Sequence, residues 1–239
     1  MATQFAFGKI VTNGLVLVLD AADKNSYPGS GTTWRDVSGN NHTHTIPSGY
    51  SYNGTINKGA FVNNDSYYSN LIYDNDIFSL INMPLYSTFT LSIAFNFTTD
   101  IDSRTQFLIG AANIGDESTL LSVAIFYPNI LSITGEDLYN NNWTTISNIN
   151  PGTNYILTVV SNSSLNNILY YLNGIYINSL PAFTNLQAFG IGGSQYDADT
   201  NTFNSLHQGK IYNCHLYNRV LSASEILQNY NAQKSRFNL

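Results

Sequence analysis

Residues 89–97, FTLSIAFNF, alternate more cleanly than any other stretch: Phe89, Leu91, Ile93, Phe95 and Phe97 share one face. A period of two predicts a strand with that face on a core. The run LVLVL at 15–19 does not alternate. Short, bounded by Gly14 and Asp20 and carrying two valines, it predicts a strand buried on both faces, suited to the middle of a sheet. Residues 155–161 and 168–172 alternate again. Asn173-Gly174 joins 168–172 to 175–177 and predicts a tight hairpin, because both residues accept the positive φ of a type I′ turn. Further strands are predicted at 61–63, 106–111, 120–126, 130–134, 143–146 and 189–191. Residues 67–83 are less regular, with a strand at 71–73 and a short helical turn at 77–80. The stretch 23–59 is rich in turn chemistry such as Tyr27-Pro28-Gly29 and Ser38-Gly39-Asn40. Within it Trp34 is expected to plug the end of the fold, and Asp36 to accept backbone N–H groups from the turn at 38–39.

The period changes only near the C-terminus. Gly209 opens a strand with Ile211, Cys214, Leu216 and Val220 as its apolar groups. Ser222 and Glu225 then make a capping box, and Leu221, Ile226, Leu227 and Tyr230 follow at helical spacing. Gln228, Asn229 and Gln233 are expected to face water. A chain of many strands and one helix predicts an all-β fold: a two-sheet antiparallel β-sandwich of jelly-roll topology with a short C-terminal helix. Nothing marks a linker or a repeat. The expected organisation is an N-terminal arm at 1–12, one sandwich at 13–233 and a C-terminal tail at 234–239.

LYNRVLS at 216–222, followed by Glu225-Ile226, resembles the closing signature of concanavalin A-like lectin/glucanase domains of the laminin-G type. NGLVLVLDA at 13–21, WRDVSGN at 34–40 and YYLNG at 170–174 match the same family in its own order. A longer variant over 13–21, 26–40 and 221–237 resembles the version of this domain found in structural proteins of tailed phages. The resemblance implies a concanavalin A-like sandwich whose first strand pairs with its last, and a place in a virion as a capsid decoration, neck or tail-associated protein. Four motifs in order speak for a fold, not for one function.

Composition narrows the partners. Only 10% of the 239 residues are charged, against a usual quarter, yet 43% are hydrophobic and 13% aromatic, which excludes a disordered chain. The net charge of −6 gives no basic footprint for nucleic acid or an anionic membrane. No apolar run has the length of a secretory signal or a membrane span, so synthesis in a cytoplasm is expected; localisation to a virion is what the resemblance implies. Cys214 is the one cysteine. It leaves no intrachain disulfide and reads as a buried structural thiol rather than a nucleophile or ligand.

Catalysis is not expected. Glycoside hydrolysis needs two carboxylates across the scissile bond, and the three glutamates, Glu117, Glu136 and Glu225, lie far apart. Asp100 and Asp102 have alternate spacing but sit in a predicted turn without a third acid. No serine elbow precedes a helix, and His207 and His215 flank the closing strand as structural residues. His42 and His44, two apart on an extended segment, suit either a transition-metal site completed by symmetry or a plain polar loop. The resemblance also implies calcium at one rim, for which Asp116, Glu117, Asp197 and Asp199 are the candidate oxygen donors.

Sugar binding on this fold rests on aromatic platforms and amide partners. Among 17 tyrosines, two tryptophans and many asparagines, the expected rim is Asn140, Asn142, Trp143, Tyr196 and Asn201. Low charge also removes repulsion between subunits. A homo-oligomer is therefore expected, with Phe5, Phe7 and Phe237 reaching onto a neighbour and the whole docking on other virion proteins. The expected function is that of a non-catalytic virion structural protein that contacts surface polysaccharide. A free carbohydrate-binding module is the alternative.

Overall fold

The computed structural model describes residues 9–46, 49–63, 81–98, 105–112, 121–134, 143–181, 186–192, 196–197, 202–203 and 207–239. The first half contributes Leu15–Asp20 (β1), Thr33–Trp34 (β2), His44–Thr45 (β3), Ser51–Asn53 (β4), Ala60–Asn63 (β5), Ile81–Tyr86 (β6), Thr88–Phe97 (β7) and Gln106–Ala112 (β8). Ser122–Phe126 (β9), Ile130–Thr134 (β10), Thr144–Asn148 (β11), Asn154–Asn162 (β12), Asn167–Leu172 (β13) and Ile175–Leu180 (β14) follow. Leu186–Ile191 (β15), Tyr196–Asp197 (β16), Thr202–Phe203 (β17), Gly209–Tyr217 (β18) and the helix Ala223–Phe237 (α1) complete the chain. One sheet runs β14-β13-β12-β7-β18-β5-β4, with β1 also on β18; the other runs β11-β10-β9-β8-β15-β6. Within both sheets every pairing is antiparallel. The predicted sandwich is therefore the observed one.

β7 lies at the centre of the larger sheet, between β12 and β18. Its alternating apolar set is at most 1% exposed. These side chains meet Leu108, Val123, Ile125, Leu131 and Ile133 of the smaller sheet in the main core. Each such side chain taken out of water contributes about 1.5–3 kcal/mol, an upper figure for a real unfolded chain. The other face of β7 is buried as well, because α1 lies across it. Ala94, Ile156 and Tyr212 pack with Phe237, and Val160, Tyr171 and Tyr217 pack with Leu221 and Ile226. The molecule thus has three layers: helix, larger sheet, smaller sheet.

That third layer corrects two expectations. Asn229 and Gln233 do not face water; they are buried beneath α1, where Asn213 Nδ2 donates to Gln233 Oε1 (2.8 Å) and Asn229 Nδ2 to the Tyr217 hydroxyl (3.0 Å). The polar face of the sheet demands polar partners. The helix also runs through 234–237, so these residues are its last turn and not a tail. Phe237 is 1% exposed, its ring 4.9 Å from that of Tyr212, and is consumed inside its own chain instead of meeting a neighbour. The predicted capping box is present, with Arg219 paired to Glu225 at 2.6 Å. At the other end of the chain, residues 9–12 are not a free arm. Ile10 is buried, Val11 N donates to Asn229 Oδ1 (2.8 Å) and Tyr217 donates to Val11 O (3.0 Å). Phe5 and Phe7 lie outside the described residues.

β1 pairs with β18 as expected, but it is not central. Its outer edge is closed by a loop: Val18 N donates to Asp36 Oδ1 (2.9 Å), Val37 N to Val18 O (3.0 Å), and Ser38 Oγ and Asn40 Nδ2 to Val16 O. Asp36 also accepts from Ser38 N (2.8 Å) and His42 N (3.1 Å), a wider role than the predicted turn. Loop cover buries an edge strand as well as a second strand would. β6 falls partly in the irregular stretch 67–83. It carries Pro84, which lacks an N–H, and accordingly lies at the margin of its sheet. The strand expected at 71–73 and the turn at 77–80 lie outside the described residues, as do Asp100 and Asp102.

Candidate functional site

Val123, Ile125, Leu131 and Ile133 point into the core. The pleat therefore turns Ser122, Ala124 and Phe126 of β9, and Ile130, Ser132 and Thr134 of β10, to the outer face of the smaller sheet. Ser132 faces Thr145 across the ladder and Ile130 faces Asn148, which puts those β11 residues on the same outer face. Trp143, two before Thr145, shares it. Ser122, Ser132 and Thr134 are buried, while Thr145 and Asn148 are exposed and Phe126 and Trp143 are half-buried. Of β9, β10 and β11, the residues this face offers most to solvent are at the β11 margin. There the rings of Trp143 and Phe126 meet edge to face, 5.1 Å apart at 79°. Tyr127, in the turn that follows Phe126 and precedes cis Pro128, is 51% exposed.

The chemistry of this margin is uniform. β6, β8, β9, β10, β11 and β15 contain no Asp, Glu, Lys, Arg or His. An edge-to-face pair fixes both rings without enclosing them, leaving aromatic surface for stacking beside the Thr145 hydroxyl and the Asn148 amide. That suits a neutral ligand with an apolar side and hydroxyl groups. Among the described residues of these strands it offers no carboxylate, amine or imidazole.

Of the residues expected at a sugar-facing rim, Trp143 is on this margin. Asn140, Asn142 and Asn201 lie outside the described residues. Tyr196 is in β16, opposite Phe203 of β17. The partner of Trp143 was missed, although Phe126 carries a signal in the sequence. In SVAIF the period that sends Val123 and Ile125 inward sends an aromatic outward.

Of the four calcium candidates only Asp197 is among the described residues. Asp116, Glu117 and Asp199 lie outside the described residues, and Asp197 pairs with Thr202 in the β16–β17 ladder. β3 pairs with β2 so that His44 is opposite Trp34. His44 is thereby turned into the closed end of the sandwich, its ring 6.3 Å from the indole, while His42 stays partly exposed. The two imidazoles do not present a common side. Among the described residues no three His, Cys, Asp or Glu side chains gather.

The remaining titratable groups of the core are structural. Burial pushes the Cys214 thiol up, away from the thiolate a nucleophile needs. His207 and His215 are pulled down to about 4 by burial. His207 Nε2 is 2.8 Å from Asn96 O and must donate to it. Among the described residues no helix is long and apolar enough to cross a membrane.

No protein-family model matches this chain, and no curated protein does. Solved structures do. The sialidase of Trypanosoma rangeli in complex with sialic acid superposes with a TM-score of 0.65 at 16% identity, over 96% of this chain and 34% of the sialidase. The botulinum neurotoxin serotype D binding domain gives 0.64 at 14% identity, over 93% of this chain and 53% of its own. The binding domain of Paraclostridial Mosquitocidal Protein 1 gives 0.61 at 15%, over 92% and 52%. This chain thus spans between a third and about half of the proteins it resembles. At such identities the likeness is one of fold: a lectin-like β-sandwich.

Proposed function

We propose that this chain is a non-catalytic, lectin-like domain that holds neutral parts of a glycan on the β11 margin of its smaller sheet, and that it does so as a structural component of a virion. The observation that carries the glycan reading is the half-exposed Trp143–Phe126 pair, flanked by Thr145 and Asn148 on a face built from uncharged strands. The solved structures it resembles include one described with bound sialic acid and two described as toxin binding domains, which is support by fold alone. The virion reading rests on the sequence variant at 13–21, 26–40 and 221–237. The structure gives that variant a coherent task, since Asp36, Asp20 and Arg236 fall in it and tie loop, β1 and α1 together. The absence of catalysis is supported by the described carboxylates. Asp20, Asp36 and Glu225 are each engaged in ion pairs or backbone hydrogen bonds, away from the aromatic margin.

A glycan array probed with the full chain, beside Trp143→Ala, tests the site. A single shallow stacking platform predicts weak binding that needs multivalent display to be seen. The variant is expected to lose at least about 10-fold, since base- or sugar-sized stacking contributes on the order of 1–3 kcal/mol. Glycans bound equally by both proteins would remove the margin from consideration. Mass spectrometry of purified particles from a virus carrying this gene tests the second half. Binding without incorporation leaves the free carbohydrate-binding module.

A further inference from the structure

Four of the large apolar side chains that stand exposed in the described structure gather at one margin of the molecule. Ile175 (66%), Tyr176 (49%) and Ile177 (37%) are consecutive on β14, and Leu227 (47%) is on α1. They are neighbours through two contacts. Tyr176 is paired with Tyr171, rings 5.5 Å apart, and Tyr171 packs in one cluster with Ile226 of the helix. The hairpin tip at Gly174 abuts Tyr230, which lies one turn beyond Leu227 on the same flank of α1.

Among the described strands β14 is the last of the larger sheet and pairs only with β13, so a row of its backbone N–H and C=O groups faces away from the sheet. Within the larger sheet the other described margins are guarded in the ways natural sheets use, and so is the β6 margin of the smaller one, whereas β11 at its other margin carries neither proline nor charge. β1 is closed by the loop from Asp36, β6 carries Pro84, and β4 is only three residues long. β14 is six residues, IYINSL, with neither proline nor charge. Its surroundings in sequence are equally bare, for residues 138–196 contain no Asp, Glu, Lys, Arg or His.

We propose that β14 is the seat of a symmetric homodimer, in which it pairs antiparallel with β14 of a second copy and the two larger sheets become one. The pattern of the edge selects a second copy. Twofold pairing centred on Tyr176 sets Ile175 beside Ile177 of the other copy and Tyr176 beside itself, apolar on apolar. Symmetric pairing always brings a side chain near its own kind. A charged edge would oppose like charges there, and this edge has none. The register shift between the Tyr171–Tyr176 and Tyr170–Asn178 pairs leaves Ile177 as an extra residue, a bend that adds a side chain to the patch. Leu227 extends the contact into the helical layer.

Sedimentation of the full chain decides this, with two double variants and a control. The wild type is expected to dimerise with a Kd of about 10 µM or tighter. Ile175→Lys with Ile177→Lys, and separately Ile175→Glu with Ile177→Glu, are each expected to weaken self-association at least about 100-fold by opposing like charges. Mixed together, the lysine and glutamate forms are expected to recover a heterodimer, because each lysine then faces a glutamate. Leu165→Lys, at an exposed position in a loop, is expected to leave the dimer intact. All substituted positions are solvent-facing, and unchanged melting temperatures confirm folding. A wild type that stays monomeric at about 100 µM overturns the proposal. So does a dimer that both double variants preserve, and so do lysine and glutamate forms that fail to recombine.

Discussion

Asp20 and Arg236 stand 216 positions apart and meet almost out of water: Arg236 Nη1 lies 2.8 and 2.9 Å from the two carboxylate oxygens, while Nε and Nη2 donate to the carbonyls of Asn57 and Gly59. Burial raises the Asp20 carboxyl above its ordinary range even with the guanidinium beside it, so desolvation outweighs attraction and the pair adds little net stability. Breaking it is another matter. Arg236→Met is expected to destabilise by about 3–5 kcal/mol, because it strands a buried carboxylate and two carbonyls. Asp20→Asn in the same chain should recover part of that loss, and urea unfolding of the single and double variants measures both. Nothing in the sequence pointed to this pair, since periodicity says which face a residue takes and not which distant charge it meets. For Phe126 and Trp143 the period of SVAIF turned the one outward and the rim expectation held the other, but their meeting was not legible. Asp36 was legible because its partners are near in sequence, in the turn Ser38-Gly39 that its carboxylate closes.

At the scale of elements, the clean alternators were read correctly, and errors fell where burial came from something other than a neighbouring strand. LVLVL looked central because both faces are covered, yet a loop supplies one edge. Asn229 and Gln233 looked like solvent positions because amides usually are, yet the sheet face beneath them carries Thr90, Ser92, Asn96, Thr158, Asn213 and His215, which want such partners. The hairpin of β13 and β14 was legible from two residues. Asn173 and Gly174 have φ of 51° and 74°, and the glycine is required twice over, since a side chain there would lie 2.9 Å from Tyr230 Cβ. Gly174→Ala is therefore expected to cost more than the roughly 1 kcal/mol of a left-handed alanine, by displacing Tyr230 from its seat. The measurable consequence is a lowered urea midpoint together with faster amide exchange in α1 near Tyr230. Asn173→Gly keeps the turn but removes the Oδ1 that accepts from Ile156 N (2.9 Å), so it is expected to cost about 1–3 kcal/mol by leaving that donor unpaired.

For the whole molecule, enclosing the larger sheet between a second sheet and a helix places two histidines where protons are unwelcome. His207 and His215 are both fully inside, and burial brings each down to about 4 from an ordinary value of 6.5. Between those two values the unfolded chain binds protons that the folded chain refuses. Stability is therefore whole above about pH 6.5 and falls as the pH drops toward 4, by up to about 1.4 kcal/mol per pH unit for each histidine. Glu225, held down to about 2 by Arg219 and the Ser222 cap, acts in the same direction but only below the ordinary range of a carboxylate. Asp20, raised by burial, instead takes up its proton in the fold first and offsets part of the decline, so the fall below 6.5 is that of the histidines less the Asp20 contribution. The expected outcome is a urea midpoint that is flat from pH 8 to about 6.5 and then declines steeply. His215→Gln, which fills the site without a titrating group, is expected to lower stability at pH 7 somewhat and to remove roughly half of the slope below 6.5. A midpoint that stays level down to about pH 4.5 would mean that both imidazoles accept a proton within the fold. The three-layer burial of β18 would then be looser than its hydrogen bonds imply.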